Sequence, residues 1–561
     1  MSWTVALAAT SILLLAGCAG LPLGGAHPSS SATGAAGDED GDAADPPGGE
    51  EWNYRASLSV AAPADLAMPA LAPCAQKPLP ASWVARENAH PGSVGWQPGG
   101  GRDEPRVPLY LDQPSTTCGH PVVAHVGGGG ATGVTLRAYR VGWYGGKGAR
   151  LVWTSQPFDV PPSAAPPRSG DTMASPAWTT AVSLPVDSSW TPGLYLVETH
   201  DPAGVAGIAG LVVRDQVTPS SFTVVDSTLT WTAYSQFGGS SLYRGPDETS
   251  GSRALRVAID RPLEGPGVER LLVCDVPLAM FLERHGFGAR YLSDTDVDAW
   301  PSLLRATPTT ILPGHSEYWT RRMYDGLVAA RNSGVNIADL GANEIYWHAR
   351  LSRTVTGQPD LMFVARTLAQ DPMAASSPDA ATVEWHQPPL LRDPSAVLGQ
   401  RYSAVRARGG LSVVGLPAWL GRGTDLRTGE ALPAVVQNEA DGVRAGSVST
   451  PPDTQVLLAG VLLSPGRRPV MVSTTYTTAP SGSAAFAAGT TYWTCELLHA
   501  CPDVVIPPAT ERAVQIMTLN LLHAFQTPRW GRTHPSVRRM PPAPDVLLTT
   551  LPPAAIGSYG G

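Results

Sequence analysis

A histidine and a glutamate stand two positions apart in ILPGHSEYWT (residues 311–320), where an apolar run typical of a buried strand meets a Pro-Gly break. On an extended backbone, residues two apart point the same way, so His315 and Glu317 can face one site. An imidazole and a carboxylate that share a site can transfer a proton or bind a metal ion. The alternative is structural, with Glu317 paired to Arg321 or Arg322 and the histidine capping the strand.

Side chains of similar chemical use recur in three other stretches. Tyr234 and Tyr243 flank a Gly-Gly turn in WTAYSQFGGSSLYRG. Asn343 follows two small residues in GANEIYWHAR, and Glu439 follows an apolar pair in VVQNEADGVR. Phenol, amide and carboxylate groups can all serve a hydrolytic or a metal site. Tyrosines beside glycine turns are more often packing residues, so the residues alone leave both interpretations open.

The first half of the chain is predicted to form an all-β sandwich over residues 52–220. The stretch GVTLRAYR alternates apolar and polar residues, which places Val134, Leu136 and Ala138 on one buried face. A Gly-Gly turn follows it in VGWYGGKGARLVW, and GLYLVETHD with VAGIAGLVVRD is typical of a closing hairpin. The aromatic residues Trp143, Tyr144 and Trp190 in these stretches are expected to be core and turn packing.

The second half, residues 221–527, is predicted to be an α/β domain with a parallel sheet. A strand (FTVVDSTLTW) and a helix (VPLAMFLERHGFG) are followed by TTILPGH, RRMYDGLVAARNSG and VNIADLGAN, which alternate strand, helix and strand. This alternation predicts parallel strands with right-handed crossovers. Ligands bind beyond the carboxyl ends of such strands, where GHSEYW and GANEIYW both lie.

An amphipathic helix is predicted over residues 511–525 near the end of this domain. Its buried face is expected to carry Ile516, Leu519 or Leu521, and Phe525. The proline-rich tail, residues 528–561, is expected to wrap the surface or fray.

Length and composition restrict the classes of function. A chain of 561 residues is too long for one core, and glycine (59) with proline (55) favours strands and ordered loops. The formal charge is −8, and no run of Lys or Arg could follow a phosphate backbone, which argues against nucleic acid as a partner. The sequence contains no GxSxG, P-loop or HExxH motif, so no other common catalytic signature competes.

The N-terminus predicts export. Residues 1–18 are predicted to be a lipoprotein signal peptide, because the stretch ending in Leu15-Ala16-Gly17-Cys18 is similar to a lipobox whose cysteine is lipidated. An ordinary cleaved signal or a mis-assigned start are the alternatives, since no Lys or Arg precedes the apolar run. Residues 19–50 have almost nothing to bury and are predicted to be a disordered tether. We expect an extracytoplasmic protein that is either lipid-anchored, with the lipid as its only membrane contact, or secreted.

Export makes disulfides the expected state of the cysteines. Cys495 and Cys501 enclose a short loop that a disulfide closes readily, and we expect a second disulfide between Cys74 and Cys118 in the first domain. Cys274 stands in an apolar run and is predicted to be a buried free thiol. No Cys or His spacing in the chain suggests a zinc site.

Taken in order, YRVGWYGGKGAR, the tyrosine-bearing stretch, GHSEYW, GANEIYW and VVQNEADGVR resemble the N,N-dimethylformamidase large (β) subunit and its C-terminal-domain relatives. The resemblance covers roughly residues 85–525. It implies a β-sandwich followed by a three-layer domain of the class I glutamine-amidotransferase (flavodoxin-like) type. It also implies a mononuclear iron held by two tyrosines and one glutamate.

Carried over residue by residue, the resemblance assigns Tyr234, Tyr243 and Glu317 as iron ligands. It assigns His315 and Asn343 as catalytic residues and Glu439 as a catalytic or supporting glutamate. This sequence is more compact than the family between Tyr234 and Glu317, so Tyr318 and Tyr346 are alternative ligands to Tyr243.

Two classes of function follow from the resemblance. The first is a metal-dependent amidohydrolase that acts on a linear amide or a related C–N bond other than a peptide bond, with a small-molecule amide as substrate. The second is a catalytically inactive cell-surface binding or structural lipoprotein on the same scaffold. A homo-oligomer and a small partner subunit both stay open, and the sequence does not identify the substrate.

Overall fold

The structure is a computed structural model that describes residue 58 and residues 60–98, 105–163, 168–444, 447–502 and 504–560. All of these residues belong to one compact unit, Asp42–Gly561. The predicted signal peptide with Cys18 and the predicted tether lie outside the described residues. Within the described part of the chain, no helix combines the length and the apolar character needed to span a membrane.

The first half of the described chain consists mainly of strands. They are β1 (Leu109–Leu111), β2 (Ser115–Thr117), β3 (Val122–Val126), β4 (Ala131–Val141), β5 (Ala149–Thr154), β6 (Phe158–Val160), β7 (Arg168–Ser169), β8 (Thr172–Met173), β9 (Ala181–Leu184), β10 (Gly193–Asp201) and β11 (Gly204–Arg214). One sheet has the order β1-β3-β9, and a second has the order β2-β11-β10-β4-β5 with β6 also on β4. Side chains of both sheets, such as Leu109 and Leu136, share one hydrophobic cluster. The predicted inward face of β4 and the predicted β10–β11 hairpin are confirmed.

The second half continues with strands that build one large sheet and several small ones. They are β12 (Phe222–Asp226), β13 (Arg256–Ala258), β14 (Ala289–Ser293), β15 (Thr309–Gly314), β16 (Tyr318–Trp319), β17 (Asn336–Gly341), β18 (Trp347–His348), β19 (Arg350–Arg353), β20 (Pro359–Phe363), β21 (Arg401–Val413), β22 (Ala431–Gly442), β23 (Gln455–Leu463), β24 (Pro469–Thr478), β25 (Ala484–Ala487) and β26 (Ile556–Gly560). The fold is therefore a mixed α/β one with a large sheet, as the alternation of elements predicts.

The large sheet has ten strands in the order β14-β12-β15-β17-β25-β24-β23-β26-β21-β22. Neighbours among the first five are parallel, and counted along the chain these five have the order 2-1-3-4-5. From β24 onward most pairs are antiparallel. The proline-rich tail is partly built into this sheet, because β26 lies between β23 and β21.

The α-helices flank these sheets and connect the parallel strands. They are α1 (Trp83–Asn88), α2 (Thr228–Tyr234), α3 (Pro266–Arg270), α4 (Val276–Arg284), α5 (Asp294–Ala299), α6 (Arg321–Ser333), α7 (Ser395–Leu398), α8 (Ala418–Gly421), α9 (Trp493–Glu496), α10 (Pro508–Phe525) and α11 (Pro544–Leu547). The expected helix near the C-terminus is α10, but the prediction that Ile516 is buried is wrong. Its buried face is set by Val514, Met517 and Leu521, which leaves Ile516 on the half-exposed flank.

Both expected disulfides are present. Cys74 bonds to Cys118, and Cys495 bonds to Cys501. Cys274 is free and buried, as predicted.

The carboxyl ends of β12, β15 and β17 come together at one edge of the parallel part of the sheet. The order of the strands reverses at β12 and β15, because the chain runs outward from β12 in one direction to β14 and in the other to β15. In open parallel sheets, ligands bind at the carboxyl ends beside such a reversal. The stretches with Tyr234, His315 and Asn343 follow these three strands, so the topology brings them to one place.

Asp226, the last residue of β12, is 1% exposed, and neither carboxylate oxygen has a hydrogen-bond partner among the described residues. Burial, with the neighbouring Asp275 and Asp294, raises the pKa of Asp226 well above its ordinary value of 3.8. Because the pKa of Asp226 is higher in the folded than in the unfolded protein, its contribution to the free energy of unfolding is full below about pH 3.8. The contribution is lost as pH rises through the folded-state pKa.

We therefore expect Asp226→Asn to stabilise the protein at neutral and mildly alkaline pH. The asparagine cannot ionise, so it avoids the cost of a buried charge that the wild type bears once the carboxyl is deprotonated. The gain should shrink toward acid pH, where the carboxyl is protonated in both states. Urea unfolding at acid and alkaline pH measures it, with the exposed Asp453→Asn as control. A variant less stable than the wild type at alkaline pH would contradict the expectation.

Candidate active site

The backbone at the end of β15 turns sharply to present the predicted site residues. Gly314 has a φ of +45°, and a Cβ at this position would lie 2.6 Å from the Cβ of Cys274. Only glycine fits both the conformation and the close approach. Beyond it, the backbone N–H of Glu317 donates to Thr230 Oγ1 at 3.0 Å, which ties the turn to helix α2. The loop is thus held at the edge of the sheet by its close contact with Cys274 at one end and by its hydrogen bond to Thr230 at the other.

His315 is the centre of the site. Its Nδ1 lies 3.0 Å from the carbonyl oxygen of Ala342, which can only accept, so Nδ1 is the donor. The other ring nitrogen, Nε2, lies 3.2 Å from Tyr234 Oη, 3.2 Å from Glu317 Oε2 and 3.8 Å from Glu439 Oε1. Three side chains from separate stretches of the chain, those of Tyr234, Glu317 and Glu439, therefore come within reach of one nitrogen atom.

The two tyrosines lie against each other on one side of this histidine. Tyr234 is the last residue of α2, Tyr243 follows the Gly-Gly turn, and their ring centroids are 4.4 Å apart. Tyr243 Oη donates to Glu317 Oε1, and Tyr234 Oη donates to Glu439 Oε1 at 3.4 Å. Tyr234 Oη and Glu317 Oε2 are both 3.2 Å from His315 Nε2, so they can be no farther apart than twice that distance. Both hydroxyls and the Glu317 carboxylate thus share one small volume.

Glu439 and Asn343 reach the site from different strands. Glu439 lies on β22, at the far edge of the sheet, but its carbonyl accepts from the N–H of Thr491 at 3.1 Å, which brings β22 back to the loop after β25. Asn343 follows β17 with a φ of +58°, and its Nδ2 donates to Glu439 Oε2 at 2.6 Å. Asn343 Oδ1 is buried and has no hydrogen-bond partner within the described chain. It is free to meet a ligand.

Burial and neighbouring charges determine the protonation of these groups. Burial alone lowers the pKa of His315, but the Glu439 and Glu317 carboxylates outweigh it, and the pKa is raised. Burial alone raises the pKa of Glu317, but the neighbouring His315, whose Nε2 lies 3.2 Å from Glu317 Oε2, outweighs it, and the pKa is lowered. Burial, reinforced by Glu317, raises the pKa of both Tyr234 and Tyr243 well above the ordinary value. The protein alone thus favours a histidine–glutamate ion pair beside two neutral phenols.

Sequence reasoning missed three charged residues of the site. Arg270 Cζ lies 4.4 Å from the ring centroid of Tyr234, and Arg366 Cζ lies 4.1 Å from that of Tyr243. Asp441 Oδ1 accepts from the backbone N–H of Asn343 at 2.7 Å, and burial raises the pKa of Asp441 to about 7. A sequence signal existed only for Asp441, which stands two positions after Glu439 on one strand and so shares its face.

The alternative tyrosines, Tyr318 and Tyr346, make different contacts. Tyr318 Oη accepts from Arg366 Nη2 at 3.2 Å. The ring of Tyr346 packs 4.9 Å from that of Trp347 and 4.8 Å from that of Tyr402. The hydroxyl that contacts the Glu317 carboxylate is that of Tyr243, so the geometry favours Tyr243 over both alternatives.

A comparison with protein families identifies the chain's relatives. The family model described as N,N-dimethylformamidase beta subunit-like, C-terminal, matches residues 135–503, about two thirds of the sequence. The chain belongs to this family. A search of the curated proteins finds no match. The resemblance noted from the motifs is thereby confirmed, and every predicted site residue lies inside the stretch that matches the family.

The residues of the site fit a hard, highly charged metal ion. Two phenol oxygens and one carboxylate are hard donors, which suit ferric iron. Glu317 Oε2 is buried and makes no hydrogen bond among the described residues, although His315 Nε2 lies 3.2 Å away. Within the same residues, no group of three or more His, Cys, Asp or Glu side chains is arranged to hold a metal. The predicted set differs from such groups because tyrosines provide two of its three ligands.

Proposed function

We propose that the protein is a metal-dependent amidohydrolase that cleaves a small linear amide, or a related C–N bond other than a peptide bond. The observation that carries this proposal is the meeting of Tyr234, Tyr243, Glu317 and Glu439 around His315. Membership of the dimethylformamidase-like family supports it. Tyr234, Tyr243 and Glu317 would hold a mononuclear iron, and that ion would supply Lewis acidity, which polarises an amide carbonyl and acidifies water.

The side chains of the site have distinct tasks in this proposal. Ala342 fixes the histidine ring, so His315 Nε2 can exchange a proton with water that attacks the amide and with the departing nitrogen. Asn343 and Arg270 hold Glu439 in place, the latter at 3.7 Å, so that it can share this proton. The unpartnered Asn343 Oδ1 can accept from an amide N–H or from water.

We propose, further, that the scaffold is an N-terminal β-sandwich followed by a domain like that of class I glutamine amidotransferases. The shared hydrophobic cluster of the two N-terminal sheets supports the first part. The strand order 2-1-3-4-5 supports the second, because flavodoxin-like sheets have that order.

We also propose that the protein acts outside the cytoplasm, anchored by a lipid at Cys18. The two disulfides support an oxidising compartment, since such bonds are rare in the cytosol. The proposed ligand of the site is a small amide. The alternative function is an inactive binding lipoprotein, and the following experiment distinguishes it from the amidohydrolase.

Metal analysis of the purified protein, with its visible spectrum, tests the proposal. We expect about one iron per chain and a charge-transfer band, because phenolate bound to ferric iron absorbs visible light and a packed phenol does not. Tyr234→Phe and Tyr243→Phe should each shift or abolish the band. Tyr346→Phe, which alters a tyrosine packed beside the site, is the control and should leave it unchanged. A colourless protein that binds no iron when loaded would refute the metal-dependent function and favour the binding protein.

A further inference from the structure

The two predicted tyrosine ligands lie between two arginines. The rings of Tyr234 and Tyr243 are 4.4 Å apart, and each ring also lies close to a guanidinium group, at 4.4 Å for Arg270 and 4.1 Å for Arg366. The contacts thus run in the order Arg270–Tyr234–Tyr243–Arg366, and we call these four residues the arginine–tyrosine stack. A cation over an aromatic face is attracted by the electron density of the ring.

The two arginines are placed differently with respect to carboxylates. Arg270 is 7% exposed and lies 3.7 Å from Glu439 and 4.0 Å from Glu269. Arg366 makes no direct ion pair in the described part of the chain, although the Glu317 carboxylate acts on it at longer range, and its Nε is buried without a hydrogen-bond partner. It instead donates to Tyr318 Oη and lies over the rings of Tyr243 and Trp347. A cation in a protein interior whose carboxylate partner is distant is stabilised further when negative charge develops in direct contact with it.

We propose that Arg270 and Arg366 are positioning residues, which hold the two tyrosine rings against each other and withdraw electron density from both rings once they act as ligands. The proposal rests on the proposed function, since it concerns the same site. Negative charge on Tyr243 would place a counter-charge in direct contact with the Arg366 guanidinium, closer than the Glu317 carboxylate. Arg270 would in the same way face negative charge on Tyr234, and it also holds Glu439. Arg366 thus contacts a proposed ligand only, whereas Arg270 connects a proposed ligand to a proposed proton-transfer residue.

The absorption band reports on this arrangement without any assay of activity. A charge-transfer transition moves an electron from the ring toward the ion, and a cation over the ring face opposes that movement. The wild-type band should therefore lie at shorter wavelength than the band of a protein that lacks the cation. A role in packing alone would not depend on the charge of the side chain.

The experiment compares Arg366→Met and Arg270→Met with Arg366→Lys and Arg270→Lys, each loaded with ferric iron. Methionine keeps a long side chain and removes the charge, whereas lysine keeps the charge. We expect the methionine variants to retain iron and to absorb at longer wavelength, and the lysine variants to recover part of the shift. Arg392→Met is the matched control, because Arg392 lies over the ring of Tyr324, away from the site, and its loss should not move the band.

The outcomes separate this inference from the function on which it rests. An iron-loaded Arg366→Met or Arg270→Met protein whose band coincides with that of the wild type would overturn the assigned role of that arginine and leave the metal site standing. Equal shifts in the methionine and lysine variants would show a packing role and overturn the inference as well. A wild-type protein without iron and without a band would overturn both the proposed function and this inference.

Discussion

Replacement of Glu317 by glutamine is expected to abolish iron binding, the visible band and amide hydrolysis while the protein still folds. Glu317 is 1% exposed, contacts Tyr243 and lies 3.2 Å from His315. Its carboxylate is therefore held inside the site, away from solvent. A carboxylate neutralises part of the charge of a trivalent ion, and a neutral amide of the same shape cannot. Iron content after loading, the absorption spectrum and thermal unfolding of the same sample measure the three effects.

The chain offers a closely matched control for this variant. On β10, Glu198 is also buried and also lies two positions from a histidine, with Glu198 Oε2 2.7 Å from His200 Nε2. Glu198→Gln therefore changes a buried glutamate–histidine pair outside the candidate site and should leave iron content unaltered. If Glu317→Gln bound iron as tightly as the wild type, the ligand role of Glu317 would be wrong.

The second large effect is expected from His315→Ala, which should lower the rate of amide hydrolysis roughly 10²–10⁴-fold, the range typical of a proton-transfer group. The proposed ligand set does not include this histidine, so the variant should keep its iron and its visible band. Glu439→Gln should behave similarly, because Glu439 lies 3.8 Å from His315 Nε2 and takes part in the proposed proton transfer. Release of amine from N,N-dimethylformamide and other small amides measures the rates.

His523→Ala is the control for this prediction, since His523 lies on the exposed side of α10. A variant that lost iron together with activity would show that His315 holds the metal site together. A variant with unchanged activity would remove His315 from the proton-transfer role. Either result would leave the prediction for Glu317 independent of that for His315.

Local sequence patterns were sufficient for much of this protein. The alternation along GVTLRAYR predicted which side chains of β4 are buried, because side chains on a strand point alternately to its two faces. The strand–helix–strand order around His315 predicted a parallel sheet, since such connections require it. Both disulfides followed from expected export, with the short loop between Cys495 and Cys501 and the shared first domain of Cys74 and Cys118 as the reasons for the pairing. The prediction that Ile516 is buried was wrong, because the apolar pattern of a helix does not fix its rotation about its own axis to within a fraction of a turn.

The sequence by itself determined which residues could do chemistry, because a phenol, a carboxylate, an amide and an imidazole are properties of residue types. The tertiary structure alone decided that Tyr234, Glu317 and Glu439 meet at His315, since that depends on the order of the strands and on the return of β22 to the loop after β25. It also decided that Arg270 and Arg366 lie over the tyrosine rings. No spacing along the chain encodes such contacts, because each joins side chains from separate elements whose relative placement comes from packing of the whole domain.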